Sequence, residues 1–418
     1  MIAKFEQFAG KMQQNKYLRA ISSGFASLMP IIIIGALSVI IDQLAIPQYQ
    51  DFLINTGLKE YLQIPNLMTN GMLALYAAFS IAYHLALIYD LDGFMAGLQG
   101  ILAFLLVQPT IIVSEVEGRA FLTSQFGAEG IITALILSIL TVEIIRLCES
   151  KGFYLRMPDS VPEMVERSFR SLTTVALVII SIIVIRIVLQ STDYETFPNL
   201  IAEIISAPLR ALGSSWIALV IIMAIVNLLW FFGIHGHLVA LSVLTPIYIQ
   251  MDLQNLEAYQ AGETLPNIIG NSFIFTYASG ACVLFGLVFG LMRLKSERYN
   301  TVGKLATVPM LFGIGEPLAY GVPYVMNFRL FIPVVFSASI NSVLAYFATL
   351  LGFLPKLNGI QIQGGMPVVF TGFIAGGWKV AAFQVFLCAL NIIIWWPFVK
   401  GMDKDEEQMF EELNEIEE

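Results

Sequence analysis

Residues 171–190 read SLTTVALVIISIIVIRIVLQ, a stretch whose only charge is Arg186. A helix rises ~1.5 Å per residue, so a run of this kind matches the ~30 Å hydrocarbon core of a bilayer. Working outward, comparable runs lie near 20–41, 68–89, 93–113, 128–148, 215–234, 270–292, 328–354 and 377–399. A shorter run at 237–250 is interrupted by Pro246 and suggests a broken or partly inserted helix. These runs predict an all-α polytopic membrane protein with about ten transmembrane helices.

Composition agrees. Of 418 residues, 57% are hydrophobic and 13% charged. Soluble domains run at roughly 45–50% apolar and ~25% charged, and a large soluble core still needs a charged coat. A soluble enzyme, a nucleic-acid binder and a disordered scaffold are all excluded. The net charge of −9 belongs mostly to the acidic tail 401–418, where Lys404 is the one basic residue, and the rest of the chain is nearly neutral. No basic surface for nucleic acid is present. Cys148, Cys282 and Cys388 lie in or beside apolar runs and read as small buried hydrophobes. The first apolar run follows a polar, basic start (Lys4, Lys11, Lys16, Arg19) and is expected to be a retained helix.

Lysine and arginine set the expected orientation. With the N-terminus in the cytoplasm and the spans alternating, only Lys59, Arg119, Arg186, Arg210, Lys356 and Lys379 fall outside the cytoplasmic segments. Both termini are therefore expected inside.

Two stretches cannot be lipid-facing helices. Leu305 to Met326 is apolar but carries Pro309, Pro317, Pro323, Gly313, Gly315, Gly321 and, near its centre, Glu316. Irregular backbone survives at membrane depth only where protein or a water-filled cavity covers it. A re-entrant hairpin with Glu316 near its tip is expected, and a second at 359–376, rich in glycine. Residues 160–170 and 198–212 have amphipathic spacing and suit either interfacial helices or short loop helices packed on the bundle.

Polar residues inside apolar runs are costly and carry the chemistry. His235 and His237 sit in Trp230-Phe231-Phe232-Gly233-Ile234-His235-Gly236-His237. They could hydrogen-bond a polar ligand, or satisfy carbonyls at a helix end. Glu316 could accept from sugar hydroxyls, carry a proton, or cap its own hairpin. His84, mid-run, reads as structural. No third ligand completes a metal site and no His-Glu-x-x-His occurs, so neither metal nor cofactor is expected. Trp378 could stack on a sugar face or anchor at the interface.

The collinear motifs resemble the IIC membrane subunits of the bacterial phosphotransferase system, in the lactose/cellobiose/diacetylchitobiose branch. The resemblance covers nearly the whole chain. It rests on Asn15-Lys16-Tyr17-Leu18-Arg19-Ala20-Ile21, Leu28-Met29-Pro30, Leu229 to Gly236, Ala261-Gly262-Glu263-Thr264-Leu265-Pro266-Asn267, Gly315-Glu316-Pro317-Leu318, Gly321-Val322-Pro323 and Asn327. It implies ten spans, two re-entrant hairpins and interfacial amphipathic helices in a homodimer. An N-terminal transmembrane domain, 1–195, would make the dimer contact. A transport domain, 196–400, would hold the sugar and move as a rigid body, and 401–418 would be a cytoplasmic tail. His235 and Glu316 inherit sugar-hydroxyl binding. Trp230, His237, Asn327 and Trp378, in or beside the same motifs, complete the expected substrate site. Phosphorylation would come from a phosphocysteine on a separate cytosolic IIB protein, served by IIA, at the bacterial plasma membrane. The chain departs from the family in four places. Gly313 and Gly315 replace asparagines, Phe328 replaces a proline and Gly377 replaces an aspartate. The same scaffold could also serve an uncoupled or proton-driven carrier, or a sensor that transports nothing.

Overall fold

The computed structural model describes residues 14–42, 46–113, 118–155, 163–208, 213–232, 236, 244–278, 280–313, 315, 318, 322, 327–361 and 366–402. Two compact units are present. One comprises Gly10–Leu212 with Ser242–Leu253, the other principally Gly213–Leu241 with Gln254–Glu418.

The first unit contains α1 (Lys16–Asp42), α2 (Pro47–Thr56), α3 (Leu58–Met68), α4 (Leu73–Ile88), α5 (Gly93–Val107), α6 (Ile131–Ser150), α7 (Glu163–Gln190) and the short α8 (Phe197–Ile201). α4 is its centre and packs against α1, α5 and α6. Small residues make this possible: Ala74, Ala77, Ala78, Ala82 and Ala86 are all fully buried. Gly100 of α5 sits so close that a Cβ there would lie 2.5 Å from the Ala78 carbonyl oxygen. Hydroxyls tie the helices together, with Ser138 Oγ donating to Ala78 O and Ser80 Oγ to Gly24 O, both at 3.0 Å. Asp92 starts α5 by accepting from Met95 N at 3.1 Å. At the same end, the Tyr17 and Tyr89 hydroxyls both donate to Glu143 Oε1 at 2.9 Å. Burial first, then the Tyr17 and Glu143 contacts, raise the Tyr89 hydroxyl above the ordinary tyrosine range, so it remains a donor. His84 acts structurally: Nδ1 donates to Ser80 O at 2.7 Å and Nε2 faces Ser27 Oγ at 3.2 Å.

The second unit contains α9 (Trp216–Phe231), α11 (Gly280–Leu291), α12 (Glu297–Leu311), α13 (Phe331–Leu350), α14 (Val368–Gly376) and α15 (Trp378–Val399). α10 (Thr245–Ala261) gives its first residues to the first unit and its remainder to the second. α9 and α13 run antiparallel: Trp216 packs on Phe347 at one end, and Phe231 on Phe331 at the other. α11 lies along α15 through Gly286 and Gly290.

Among the described residues, seven helical segments are long and apolar enough to cross a membrane, and Gly93–Val107 and Trp216–Phe231 are apolar but shorter. Several expected boundaries change. The run 93–113 stops being helical at Val107. Pro109 then breaks the chain and β1 (Thr110–Val113) pairs antiparallel with β2 (Gly118–Phe121). Of the expected short helix at 160–170, residues 163–170 form the start of α7, since no glycine or proline separates Glu163 from the span, and residues 160–162 lie outside the described residues. Of the short run 237–250, residues 245–250 open α10, and residues 237–243 lie outside the described residues. That helix takes Pro246 into its first turn, where a missing N–H costs nothing, and continues to Ala261. In the expected first hairpin, residues 305–311 belong to α12, and Glu316 lies outside the described residues. The second keeps a buried arm at Asn358–Gln361 without regular structure, and a helical arm, α14.

Candidate functional site

The second unit is organised around a π turn. Asn271–Phe273 is α-helical, Ile274–Ala278 winds as a π turn, and α11 follows. A π turn releases backbone carbonyls from the α-helical ladder. In a membrane those carbonyls need other partners, and buried amides supply them. Gln384 of α15 donates to Thr276 O at 2.8 Å, and Asn341 of α13 donates to Tyr277 O at 3.1 Å. Asn391 of α15 in turn donates to Asn341 Oδ1 at 2.9 Å.

The same set of amides holds the second hairpin. Gln384 Oε1 accepts from Gly372 N at 2.9 Å, and its Nε2 also reaches Thr371 Oγ1 at 3.1 Å. Asn271 Nδ2 donates to Gln361 Oε1 at 2.8 Å. Asn255 Nδ2 donates to Leu357 O at 2.9 Å and to Asn267 O at 2.8 Å, while its Oδ1 accepts from Asn267 N at 2.8 Å. Asn358 closes the hairpin on itself by donating to Ile374 O at 2.8 Å. Asn255, Asn271, Gln361, Gln384, Asn341 and Asn391 are all buried. The sequence reading passed over these amides. The signal was available, because Asn341, Gln384 and Asn391 interrupt predicted spans and polar groups there are expensive. Their partners, many of them backbone carbonyls, were not legible.

The six expected site residues fare differently. His235, His237 and Glu316 lie outside the described residues. Gly236, between the histidines, packs so tightly on α9 that a Cβ would lie 2.0 Å from Val226 O. Trp230 is on the last turn of α9, beside Phe231, whose ring meets Phe328 at 5.5 Å. Asn327 starts the turn before α13, with Oδ1 accepting from Arg329 N at 3.1 Å. Trp230 and Asn327 thus share one end of the α9–α13 pair. Trp378 does not join them. It is 69% exposed and lines a surface hollow with Gly352 and Phe353, beyond the other end of α13. α13 is 20 residues long, which separates the two ends by about 30 Å. That position suits an interfacial anchor. Trp378→Ala should leave sugar affinity within about twofold, whereas Trp230→Ala should weaken it several-fold; a binding titration on the purified protein checks both.

Two of the family departures also take on physical meaning. Gly313 ends α12 with φ 79°, a left-handed position where asparagine is the next best residue. Glycine there keeps the turn and loses only an amide. Gly377, between α14 and α15, has φ 80° and ψ −169°, a region essentially closed to other residues. An aspartate at 377 would need a different backbone. Gly377→Asp should therefore destabilise by about 1–3 kcal/mol, seen as a lowered melting temperature, rather than restore a lost contact.

Among the described residues no group of three or more His, Cys, Asp or Glu could hold a metal ion.

Residues 22–338 match the family described as phosphotransferase system, EIIC. The lichenan permease IIC component of Bacillus subtilis (strain 168) is 33% identical, over 99% of this chain and 94% of that protein. The cellobiose-specific EIIC component of Geobacillus stearothermophilus is 31% identical over 95% and 92%. The crystal structure of the transporter ChbC, the IIC component of the N,N'-diacetylchitobiose-specific phosphotransferase system, superposes with a TM-score of 0.90. It is 30% identical, with 96% of this chain and 98% of that one covered.

Proposed function

The chain belongs to the phosphotransferase system EIIC family, and on that premise we propose that it imports a disaccharide of the cellobiose class for phosphorylation by a separate IIB protein. The observation that carries the reading is the set of buried amides around the π turn. A polar interior is expensive in a membrane and marks a solute path. Here it fixes both arms of the second hairpin. A sugar needs donors and acceptors held still, and amides locked by their own hydrogen bonds provide a rigid frame.

His235 and Glu316 are proposed as the sugar-hydroxyl partners, with Trp230, His237 and Asn327 beside them. The lichenan and cellobiose relatives, both named as IIC components and matched over nearly their whole lengths, support a phosphoryl donor on another protein. The N-terminal domain, 1–195, is proposed as the homodimer contact and 196–400 as the moving transport domain. The chain would sit in the bacterial plasma membrane with both termini in the cytoplasm.

The test is uptake of labelled cellobiose and diacetylchitobiose into vesicles, with and without phosphorylated IIB. Uptake only with phospho-IIB, yielding sugar phosphate inside, is the expected result. Equal uptake of unmodified sugar without IIB would overturn the coupling and leave a facilitator or proton-driven carrier. Saturable binding with no flux would leave a sensor. Under the proposal, His235→Ala and Glu316→Gln lower uptake roughly ten- to hundred-fold, as expected when a hydrogen bond to a charged group worth about 1.5–3 kcal/mol is lost.

A further inference from the structure

The first unit holds a second cavity, of about 520 Å³, at the end where α4 meets α5 and where α6 ends. Asp90, Asp92, Glu149, Arg170, Gln99 and Thr174 are among its walls. Its charges do not cancel. Arg170 is committed to Glu149, with Nε at 2.9 and 3.1 Å from the two carboxylate oxygens, and its guanidinium lies 3.9 Å above the Tyr154 ring. The Asp90 N–H donates to Leu87 O at 3.2 Å, and its carboxylate has no ion pair or hydrogen bond among the described residues. Asp92 spends one oxygen on Met95 N. Two carboxylates therefore face the cavity without a cation.

Gln99 supplies the independent observation. It lies one face below Asp92 on α5, seven residues on, about 10 Å along the axis. It is 2% exposed. Its Nε2 donates to Thr174 Oγ1 at 3.1 Å, and that hydroxyl donates to Ser171 O at 2.8 Å. Its Oε1, fully buried, accepts from nothing among the described residues. A buried amide oxygen without a donor is a standing penalty, relieved when a ligand brings the donor.

We propose that this cavity binds a primary alkylammonium group, with its N–H donors directed to Gln99 Oε1 at the floor and its charge attracted by the Asp90 and Asp92 carboxylates at the rim. An ammonium offers three donors and no acceptor, and a flexible alkyl stem fits the apolar wall made by Leu87, Met95 and Ile145. The axial separation of Gln99 from Asp92 favours a ligand with one cationic head at the floor and a second at the rim. The source is a free diamine or a lysine side chain from a docked protein.

Isothermal titration of the full chain in detergent micelles tests this, with 1,5-diaminopentane as probe and 1,5-pentanediol as the uncharged control. Saturable binding of the diamine at one site, and none of the diol, is expected. The double substitution Asp90→Asn/Asp92→Asn should weaken binding on the order of tenfold or more while keeping the helix start, because asparagine caps as well as aspartate. Gln99→Glu, which adds charge at the unpaired oxygen, should tighten binding several-fold, an effect that a purely structural glutamine would not produce. The tripeptide acetyl-Gly-Lys-Gly-amide separates the sources. Affinity equal to the diamine's assigns a docked lysine, and binding of the diamine alone assigns a free solute. No saturable binding of either probe, equal binding of the diol, or unchanged affinity in the double variant would overturn the proposal.

Discussion

Gly286→Leu leaves no recoverable folded protein. A single Cβ at this position would sit 2.3 Å from the Asn391 carbonyl oxygen, 2.6 Å from its carbon and 2.8 Å from the Trp395 ring. Two of the three obstacles are backbone, which cannot rotate aside, so α11 and α15 must separate. Overpacking ordinarily costs about 1–3 kcal/mol, and more where the backbone itself must shift. Membrane helices depend on close approach, because lipid tails are as apolar as leucine and no hydrophobic gain compensates a lost contact. The separation would also carry Gln384 and Asn391, both on α15, away from the π turn. The measurement is the monodisperse fraction in size-exclusion chromatography after detergent extraction. Gly290→Ala is a graded control, since its nearest neighbour is the Val399 side chain at 2.9 Å, and should lose only part of the peak. Gly315→Ala, with nothing nearer than 3.4 Å, should behave as the parent. A normal peak for Gly286→Leu would sink the packing account.

Gln384→Leu produces the second largest loss. This amide donates to Thr276 O, donates to Thr371 Oγ1 and accepts from Gly372 N. Leucine fills the volume but leaves a carbonyl of the π turn and an N–H of α14 without these partners. The Thr276 carbonyl would keep only the weak Cys282 Sγ donor at 3.6 Å, and each buried group left short of a partner costs about 1–3 kcal/mol in ordinary interiors. Side-chain pairs between membrane helices average nearer 0.6 kcal/mol, because the unfolded chain in the membrane finds other partners. The higher figure governs here, since two backbone groups in one fixed arrangement lose their acceptor and donor together. A total of about 2–4 kcal/mol follows, with the melting temperature of a 418-residue chain lowered by roughly 2–5 °C. Thr371→Val removes only the side-chain acceptor and should shift melting by about one degree at most. If both variants melt with the parent, Gln384 does not hold the hairpin.

The hydrophobic runs made the helices legible because bilayer thickness imposes their length. The same criterion failed where length is set by something else. α10 carries Gln250, Asp252, Gln254, Asn255, Glu257 and Gln260 along its length, so a search for apolar runs saw only its first residues. Thr110–Val113 reads as the tail of a span because a β-branched run is apolar in either structure, and only Pro109 marks the change. In the candidate site, the glycine-broken segments were visible as irregular backbone. Their supports were not, because Asn255 and Gln384 act on carbonyls and N–H groups, which leave no trace in a string of side chains. Trp378 shows the opposite limit. Its neighbours in sequence belong to the second hairpin, yet it stands beyond the far end of α13 from Asn327.

The π turn at Ile274–Ala278 has one more consequence. Such a turn acts as a one-residue insertion and shifts the phase of everything after it by roughly 100° around the helix axis. The azimuth of Gly286 and Gly290 is therefore inherited from Ile274–Ala278, a full turn and more upstream. The extra residue that frees the Thr276 and Tyr277 carbonyls also aims the glycine groove at α15. The two features are in phase only together. Shortening the π turn by one residue would close the ladder and rotate the groove off its partner in the same step.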